Sequence, residues 1–292
     1  MRFKNITVAG SGVLGSQIAF QTAFKGFNVS VYDINDEAIE KGKERILGLK
    51  PRYQKDLDAS QEEVDEAYNR LEFHTDLKDA VSDADLVIEA VPEVLDIKKD
   101  FYTNLAKVAP EQTVFASNSS TMIPSQLVAF TGRPEKYLHL HFANEIWRNN
   151  IAEVMKHEGT AEEVFQGVIQ FAEEIGMVPI PIHKEQPGYV LNSLLVPFLE
   201  AAENLVVNGI ADFEMVDKTW MISTGAPKGP FAILDVIGIN TPYNLARAKA
   251  EAGNENAAKV AEYFKKEFID KGRKTFYEYP NPKYLDEDFL KS

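Results

Sequence analysis

Ten residues into the chain, a short apolar run ends in three closely spaced glycines. Asn5-Ile6-Thr7-Val8-Ala9 reads as a strand, and Gly10-Ser11-Gly12-Val13-Leu14-Gly15 leads into a helix, Ser16 to Lys25, that stops at Gly26. Gly10 permits the tight turn. Gly12 lets the main chain approach a pyrophosphate, which then rests on the exposed amides of the helix N-terminus, and Gly15 allows the helix to pack close to the strand. The positions expected to meet a dinucleotide are therefore Gly10, Gly12, Val13, Leu14 and Gly15. A glycine pattern alone also occurs in plain tight turns. Here a second strand, Asn28 to Tyr32, is closed by Asp33, 18 positions after Gly15. That is near the spacing of the acid that bonds the adenine-side ribose. A carboxylate there accepts from both ribose hydroxyls and repels a 2′-phosphate, and Ile34 adds no cation. NAD is expected over NADP.

The first half of the chain continues this rhythm of short apolar runs and longer amphipathic stretches, which builds a parallel sheet covered by helices. Strands are expected at Asp85 to Glu89, Thr113 to Ala116, Leu138 to Phe142 and Val178 to Ile182, with another at 151–156. Residues 36–70 are polar, helical in pattern and too long for a simple crossover, so they read as a helical excursion. Near residue 185 the character changes. Pro187-Gly188 breaks the chain, and from Val190 onward the pattern is helical, with stops at Gly209, Gly225 and Gly272 and an N-cap at Asp212. The expected architecture is α/β: a mostly parallel, Rossmann-type NAD-binding domain over 1–185, then an all-helical domain over 186–292.

Bulk composition narrows the partners. Apolar residues make up 45% and charged residues 26% of the chain, enough for an ordinary core. The net charge of −14 would repel a phosphate backbone, so nucleic acid is not an expected partner. No run approaches the roughly 18 apolar residues of a membrane span. Met1 to Asn5 leads straight into a strand without the apolar segment of a signal peptide. With no cysteine, disulfides, thiolate catalysis and cysteine-held zinc are excluded, and a cytoplasmic setting is expected.

A nicotinamide enzyme that takes hydride from an alcohol carbon needs a base for the hydroxyl proton. The histidines are His74, His139, His141, His157 and His183. In Tyr137-Leu138-His139-Leu140-His141-Phe142 two of them share one face of a strand. Ligands of open α/β sheets bind beyond the carboxyl ends of strands, which favours His141, although a strand histidine is also often a structural group. An HxH pair can bind metal, but further ligands at a convincing spacing are missing, and no metal is expected. Glu153 sits inside the apolar run Ile151-Ala152-Glu153-Val154. A carboxylate bonded to the far ring nitrogen would fix the tautomer of a histidine base, and a surface glutamate at a strand end is the alternative. The polar burst Ser117-Asn118-Ser119-Ser120-Thr121 follows a strand, where loops line ligand crevices; a capped helix start accounts for the serines equally well.

Taken in order, these pieces resemble the L-3-hydroxyacyl-CoA dehydrogenase family, from Lys4 to about Leu245. The stretches that carry the resemblance are Glu89-Ala90-Val91-Pro92-Glu93, Ala116-Ser117-Asn118-Ser119-Ser120, His141-Phe142-Ala143-Asn144, Pro187-Gly188-Tyr189-Val190-Leu191-Asn192 and Gly225-Ala226-Pro227-Lys228-Gly229-Pro230-Phe231. The resemblance implies that His141 is the general base and that Glu153 orients it. It implies that Ser120 and Asn192 hydrogen-bond the reacting oxygen and that Ser120 also touches the nicotinamide. Glu93, Lys98 and Asn144 would contact NAD, and Lys274, in a segment similar to the family's closing motif, would also reach the cofactor. It further implies an acyl-CoA substrate, a role in fatty acid metabolism, and a homodimer formed through a helical domain that closes over the cleft.

Some positions depart from the family. Prolines usual after the His-Phe-x-Asn core are replaced by Glu145-Ile146-Trp147-Arg148-Asn149-Asn150, and Ser193 stands where an arginine is common. The serine and lysine used toward CoA fall at Leu49 and near Asp56, with Lys55 next door. These changes bear on the acyl-CoA handle and leave the NAD and proton machinery intact. A second reading therefore keeps the chemistry on a free 3-hydroxy acid or sugar acid, with Arg148 or Arg52 pairing its carboxylate unless these are solvated surface groups. A cofactor-binding protein without turnover would be expected to lack His141 or Glu153. Two neighbouring dehydrogenase families are set aside: one needs a lysine where Gly188 stands, the other a cysteine nucleophile.

Overall fold

The computed structural model describes residues 2–286 and 288–291, and the chain divides into two compact units, Met1–Val190 and Leu191–Ser292. In the first unit the elements follow in the order β1 (Asn5–Ala9), α1 (Val13–Phe24), β2 (Asn28–Tyr32), α2 (Asp36–Leu47), α3 (Lys50–Leu57), α4 (Gln61–Asn69), β3 (Leu71–His74), α5 (Leu77–Ala80) and β4 (Leu86–Glu89). They continue with α6 (Leu95–Val108), β5 (Val114–Ser117), α7 (Pro124–Leu127), β6 (Tyr137–Phe142), β7 (Ile151–Met155), α8 (Glu162–Glu174) and β8 (Val178–Ile182).

The eight strands form one sheet in the order β3-β2-β1-β4-β5-β6-β7-β8, parallel throughout except between β6 and β7. The expected α/β class, a mostly parallel sheet followed by helices, is what the chain adopts. Strand order reverses at β1, so the loops after β1 and β4 flank a switch point, where such sheets bind ligands. β4, β5 and β6 are buried along their whole length, as strands covered on both faces must be. One strand escaped the sequence pattern. β3 has only four residues, Leu71-Glu72-Phe73-His74, lies at the sheet edge against β2 and carries too little apolar content to register.

Helix α1 is buried on nearly every side, packed against strand β2 and helices α2 and α4. The excursion is thus α2, α3 and α4 folded back over α1 rather than one long helix. Asn35 caps α2, and the capping box of Ser60 and Glu63 starts α4. Tyr53 anchors α3: its ring meets Phe20, Phe24 and Trp147, and its hydroxyl donates to Gln21 Oε1 at 2.6 Å.

The second unit comprises α9 (Leu191–Val207), α10 (Phe213–Thr224), α11 (Pro230–Ile237), α12 (Asn240–Glu251) and α13 (Glu255–Phe264). Its core includes Leu199, Phe231, Phe264, Phe268 and Phe276. Asp212 caps α10 by accepting from Met215 N at 2.9 Å, and the helix ends at Gly225 with φ 72°. The carboxylate of Asp217, fully buried, accepts from the first amides of α11, Phe231 N at 2.8 Å and Ala232 N at 3.0 Å, and from Tyr277 Oη at 2.9 Å. A Cβ at Gly229 would lie 2.3 Å from Asp217 Cγ, so the glycine is what admits this buried acid.

Candidate active site

The glycine loop leaves β1 with Gly10 at φ +103°, and Gly10 N donates to Tyr32 O at 2.8 Å. A Cβ on Gly10 would sit 2.5 Å from Ala90 O, and one on Gly15 would sit 1.9 Å from Gly10 O. Those two glycines are spaces already filled by neighbouring backbone. Gly12 is different, because a Cβ there meets nothing within 4 Å. It caps α1 without a side-chain bond, and the first turn carries no acidic residue, so no side-chain cap or helix acid is spent on the amides that open the helix. This is the donor set an anionic pyrophosphate requires. Val13 and Ile34 are exposed beside it, apolar surface suited to a flat heterocycle.

Asp33 is held in place by three donors. Ser11 N and Ser11 Oγ reach Oδ2 at 2.8 and 2.6 Å, and Ile34 N reaches Oδ1 at 2.8 Å. The carboxylate keeps lone pairs for ribose hydroxyls. Ser11 is a contributor that the glycine spacing alone did not single out. Asp33→Ala is expected to weaken NAD binding about tenfold, the loss of one to two charge-assisted hydrogen bonds, and to relax the preference against NADP. Titrating both cofactors against the variant checks this; an unchanged NAD:NADP ratio would remove Asp33 from the ribose role.

At the carboxyl end of β4 a buried polar knot forms. Glu89 accepts from Lys98 Nζ at 2.5 Å, Ser117 Oγ at 2.6 Å, Val91 N at 2.9 Å and Tyr102 Oη at 3.2 Å. Lys98 is 1% exposed and also lies 3.2 Å from Glu93. Glu93 Oε1 in turn accepts from Ser119 Oγ (2.5 Å), Ser120 N (3.0 Å), Thr121 N (2.9 Å) and Thr121 Oγ1 (2.8 Å). Burial raises the Glu93 pKa, but these donors and the Lys98 charge outweigh it and bring it down to about 2. Lys98 therefore spends its charge on two acids inside the fold, and Glu93 shapes the loop that carries Ser120. The sequence marked Lys98 and Glu93 as cofactor contacts; in the fold they are first of all the scaffold of the serine loop. Glu89 and Tyr102 complete that scaffold, and nothing in their spacing announced it.

Strand β6 brings His141 to the same end of the sheet. β5 ends at Ser117, opposite His139, so His141 lies beyond the last β5 pairing, beside the loop that follows. Asn118 Oδ1 ties that loop to the strand by accepting from Phe142 N at 3.0 Å. Across the antiparallel pair, His141 stands opposite Glu153, and its Nδ1 lies 2.8 Å from Glu153 Oε2. Both side chains are almost wholly buried. The second carboxylate oxygen accepts from Val190 N at 2.9 Å. With Nδ1–H donating to the glutamate, Nε2 is left as the proton acceptor. An acid–imidazole pair of this geometry is chemically able to act as a general base with its orienting group.

His139, on the same strand face, has both nitrogens engaged by tyrosines: Nδ1 with Tyr189 Oη and Nε2 with Tyr137 Oη, each at 2.9 Å. Burial, helped by the charge of Lys98, lowers its pKa to about 3, so it stays neutral. His74 lies on β3, His157 bonds Pro134 O, and His183 is exposed after β8. Asn144 is exposed just past β6, its carbonyl accepting from Asn149 Nδ2 at 2.7 Å. Asn192 and Lys274 belong to the helical unit, the former in the first turn of α9 and the latter exposed near the chain's end. Among the described residues no group of three or more histidines and acids is placed to hold a metal ion.

The arginines near the family departures are already engaged. Arg52 bonds Glu145 and stacks over Trp147, whose Nε1 donates to Asp56 Oδ2 at 2.9 Å. Arg148 Nη1 lies 4.0 Å from both Asp56 and Glu145.

Comparison with known families decides the affiliation. The family model for the 3-hydroxyacyl-CoA dehydrogenase NAD binding domain matches residues 5–186, and that for the C-terminal domain matches residues 188–279. The chain belongs to the 3-hydroxyacyl-CoA dehydrogenase family. It is 34% identical over 241 residues to a probable 3-hydroxybutyryl-CoA dehydrogenase of Bacillus subtilis, covering 82% of this chain and 83% of that protein. It is 32% identical over 258 residues to the human mitochondrial hydroxyacyl-coenzyme A dehydrogenase, covering 87% and 82%. A solved diketoreductase, described as a dual catalyst of dicarbonyl compounds, superposes with a TM-score of 0.89 at 52% identity, covering 94% of this chain and 96% of that one. The chain is accordingly an NAD-dependent oxidoreductase of this family, and NAD is its cofactor.

Proposed function

We propose that this enzyme interconverts a hydroxyl and a carbonyl on the third carbon of an acyl chain, with His141 exchanging the alcohol proton and Glu153 holding His141. The observation that carries the reading is the buried 2.8 Å pair of His141 Nδ1 and Glu153 Oε2 at the carboxyl edge of the sheet, beyond the end of β5. When bound, NAD takes up or returns the hydride. In the oxidative direction His141 Nε2 removes the hydroxyl proton, and Glu153 stabilises the imidazolium that forms. Ser120 and Asn192 are assigned to the reacting oxygen. Gly10, Gly12, Val13, Leu14, Gly15 and Asp33 are assigned to the pyrophosphate and ribose, and Asn144 and Lys274 to further cofactor contacts. Glu93 and Lys98 are likewise assigned to cofactor contacts, beside the loop that Glu93 shapes.

The family and its curated relatives support a 3-hydroxyacyl-CoA as substrate, which would place the enzyme in fatty acid metabolism. A second reading, a free 3-hydroxy acid, sugar acid or dicarbonyl compound, is favoured by one region. Where the family directs a serine and a lysine toward CoA, this chain has buried Leu49 and the acid Asp56, whose carboxylate is bonded to Trp147. An acid there opposes a polyphosphate handle. The likeness to the diketoreductase supports the same reading. Under that reading Arg52 or Arg148 would pair the substrate carboxylate in competition with Glu145 and Asp56, which they already face. Acetoacetyl-CoA and free acetoacetate at fixed NADH separate the two. Faster NADH loss with the thioester is the result expected of an acyl-CoA enzyme, and faster loss with the free acid would overturn that assignment.

Exposed Leu194, Ile210 and Ile222 on the helical unit support a homodimer formed through that unit. Among the described residues no helix is long and apolar enough to cross a membrane.

A further inference from the structure

Tyr189 joins the loop beside the polar knot at the end of β4 to the His141–Glu153 pair. Its ring lies stacked on the imidazole of His141, centroids 4.6 Å apart and planes 20° apart. Its hydroxyl donates to Ser119 O at 2.6 Å and lies 2.9 Å from His139 Nδ1. Because the tyrosine proton goes to the Ser119 carbonyl, His139 Nδ1–H must be the donor to Tyr189 Oη, which leaves Nε2 to accept from Tyr137 Oη. Every hydrogen in the row Tyr137, His139, Tyr189, Ser119 then has one direction, and neutral His139 suits it. The main chain delivers the ring by a turn that few residues adopt: Gly188 has φ 80°, Tyr189 has φ 56°, and Tyr189 N donates to Gln186 O at 2.9 Å. A non-glycine residue in the left-handed region is held there by its surroundings. The next residue supplies Val190 N to Glu153.

We infer that Tyr189 is the positioning residue of the proton-transfer pair, its ring face holding the His141 imidazole and its hydroxyl registering that ring against the Ser119–Ser120 loop. This inference rests on the reading of His141 as the base. The ring is a flat wall that leaves the imidazole free to slide only in its own plane, where the bond to Glu153 arrests it. An aromatic face also favours the cation that His141 becomes when it takes the proton. The hydroxyl arm fixes the distance between the base and the loop assigned to the reacting oxygen, an alignment on which rates depend steeply.

The test is a double-mutant cycle, because a side chain that acts only through His141 has nothing left to act on once His141 is gone. Tyr189→Leu is expected to lower kcat at least about tenfold with KM for NAD little changed, to lower Tm through the buried hydrogen bonds it deletes, and to add less than about twofold in kcat to His141→Ala. Tyr189→Phe keeps the ring and the apolar contacts, so it should recover most of the rate, losing about threefold for the missing hydroxyl, and that loss should also vanish in the His141→Ala background. A Tyr189→Leu enzyme with parental kcat overturns the proposal, as does a loss that persists undiminished without His141. If the leucine variant does not fold, the phenylalanine cycle decides by the same criterion: a parental rate removes the hydroxyl arm, and a loss independent of His141 removes the coupling. Should His141→Ala itself leave turnover intact, the reading of the base fails instead, and the two failures are told apart in one experiment.

Discussion

His141→Ala is expected to lower the rate of the chemical step by about a hundredfold or more, the loss general-base removal typically brings, while NAD still binds. The expectation follows from where the ring stands. It makes no contribution to the glycine cradle or to Asp33, which lie on the loops after β1 and β2, so its removal should spare the cofactor. Its Nδ1 is committed to Glu153 and its face to Tyr189, which leaves Nε2 as the atom with work to do. Single-turnover NADH formation, set against an NAD titration by fluorescence quenching, separates the two quantities. Turnover at the parental rate would take His141 out of the mechanism. A parallel collapse of NAD affinity would mean that the residue supports the fold and not the proton.

Gly15→Ala should be nearly as damaging, by an unrelated route. The added methyl would sit 1.9 Å from Gly10 O and 3.3 Å from Ala90 Cβ, against backbone that cannot rotate away. Helix α1 would have to retreat from the end of β1, and overpacking of this kind costs about 1–3 kcal/mol. The amides of Val13 and Leu14 would move with it. NAD affinity is expected to fall about fiftyfold, roughly 2 kcal/mol, with a lower Tm. Gly12→Ala is the control, since a Cβ there meets no protein atom. It should melt like the parent and still bind NAD more weakly, because its methyl would project into the open space assigned to the cofactor. If Gly15→Ala bound NAD as the parent does, the close approach of helix and strand would not be what shapes the cradle.

Much of this site can be read along the chain because its parts are local. The glycine loop, the strand before it and Asp33 fall within one βαβ unit, where spacing alone carries the geometry. Likewise His141 and Glu153 sit on strands whose apolar runs identify them, although the sequence cannot show that β7 runs antiparallel to β6 and so sets the two residues face to face. What escaped notice depends on distant pairings. Lys98 has the sequence of an exposed helical lysine and ends almost wholly buried between Glu89 and Glu93, because α6 packs over the ends of β4 and β5. Tyr189 was one residue of a recognisable stretch, with no pattern to say that its ring would lie on a histidine from β6. β3 was too short and too polar at the sheet edge to announce itself.

The facing of His141 and Glu153 is a matter of main-chain ladder and not of loop shape. A slip of one residue within either strand would turn the carboxylate to the opposite side of the sheet, whereas the connecting residues 143–150 lie outside that ladder and pack through Ile146 and Trp147 against the core beside α3. That connection is also where the family resemblance leads one to expect prolines and this chain carries Glu145, Trp147 and Arg148. Selection can therefore resculpt the connection, in sequence or in length, and try new molecules against an unaltered reactive pair.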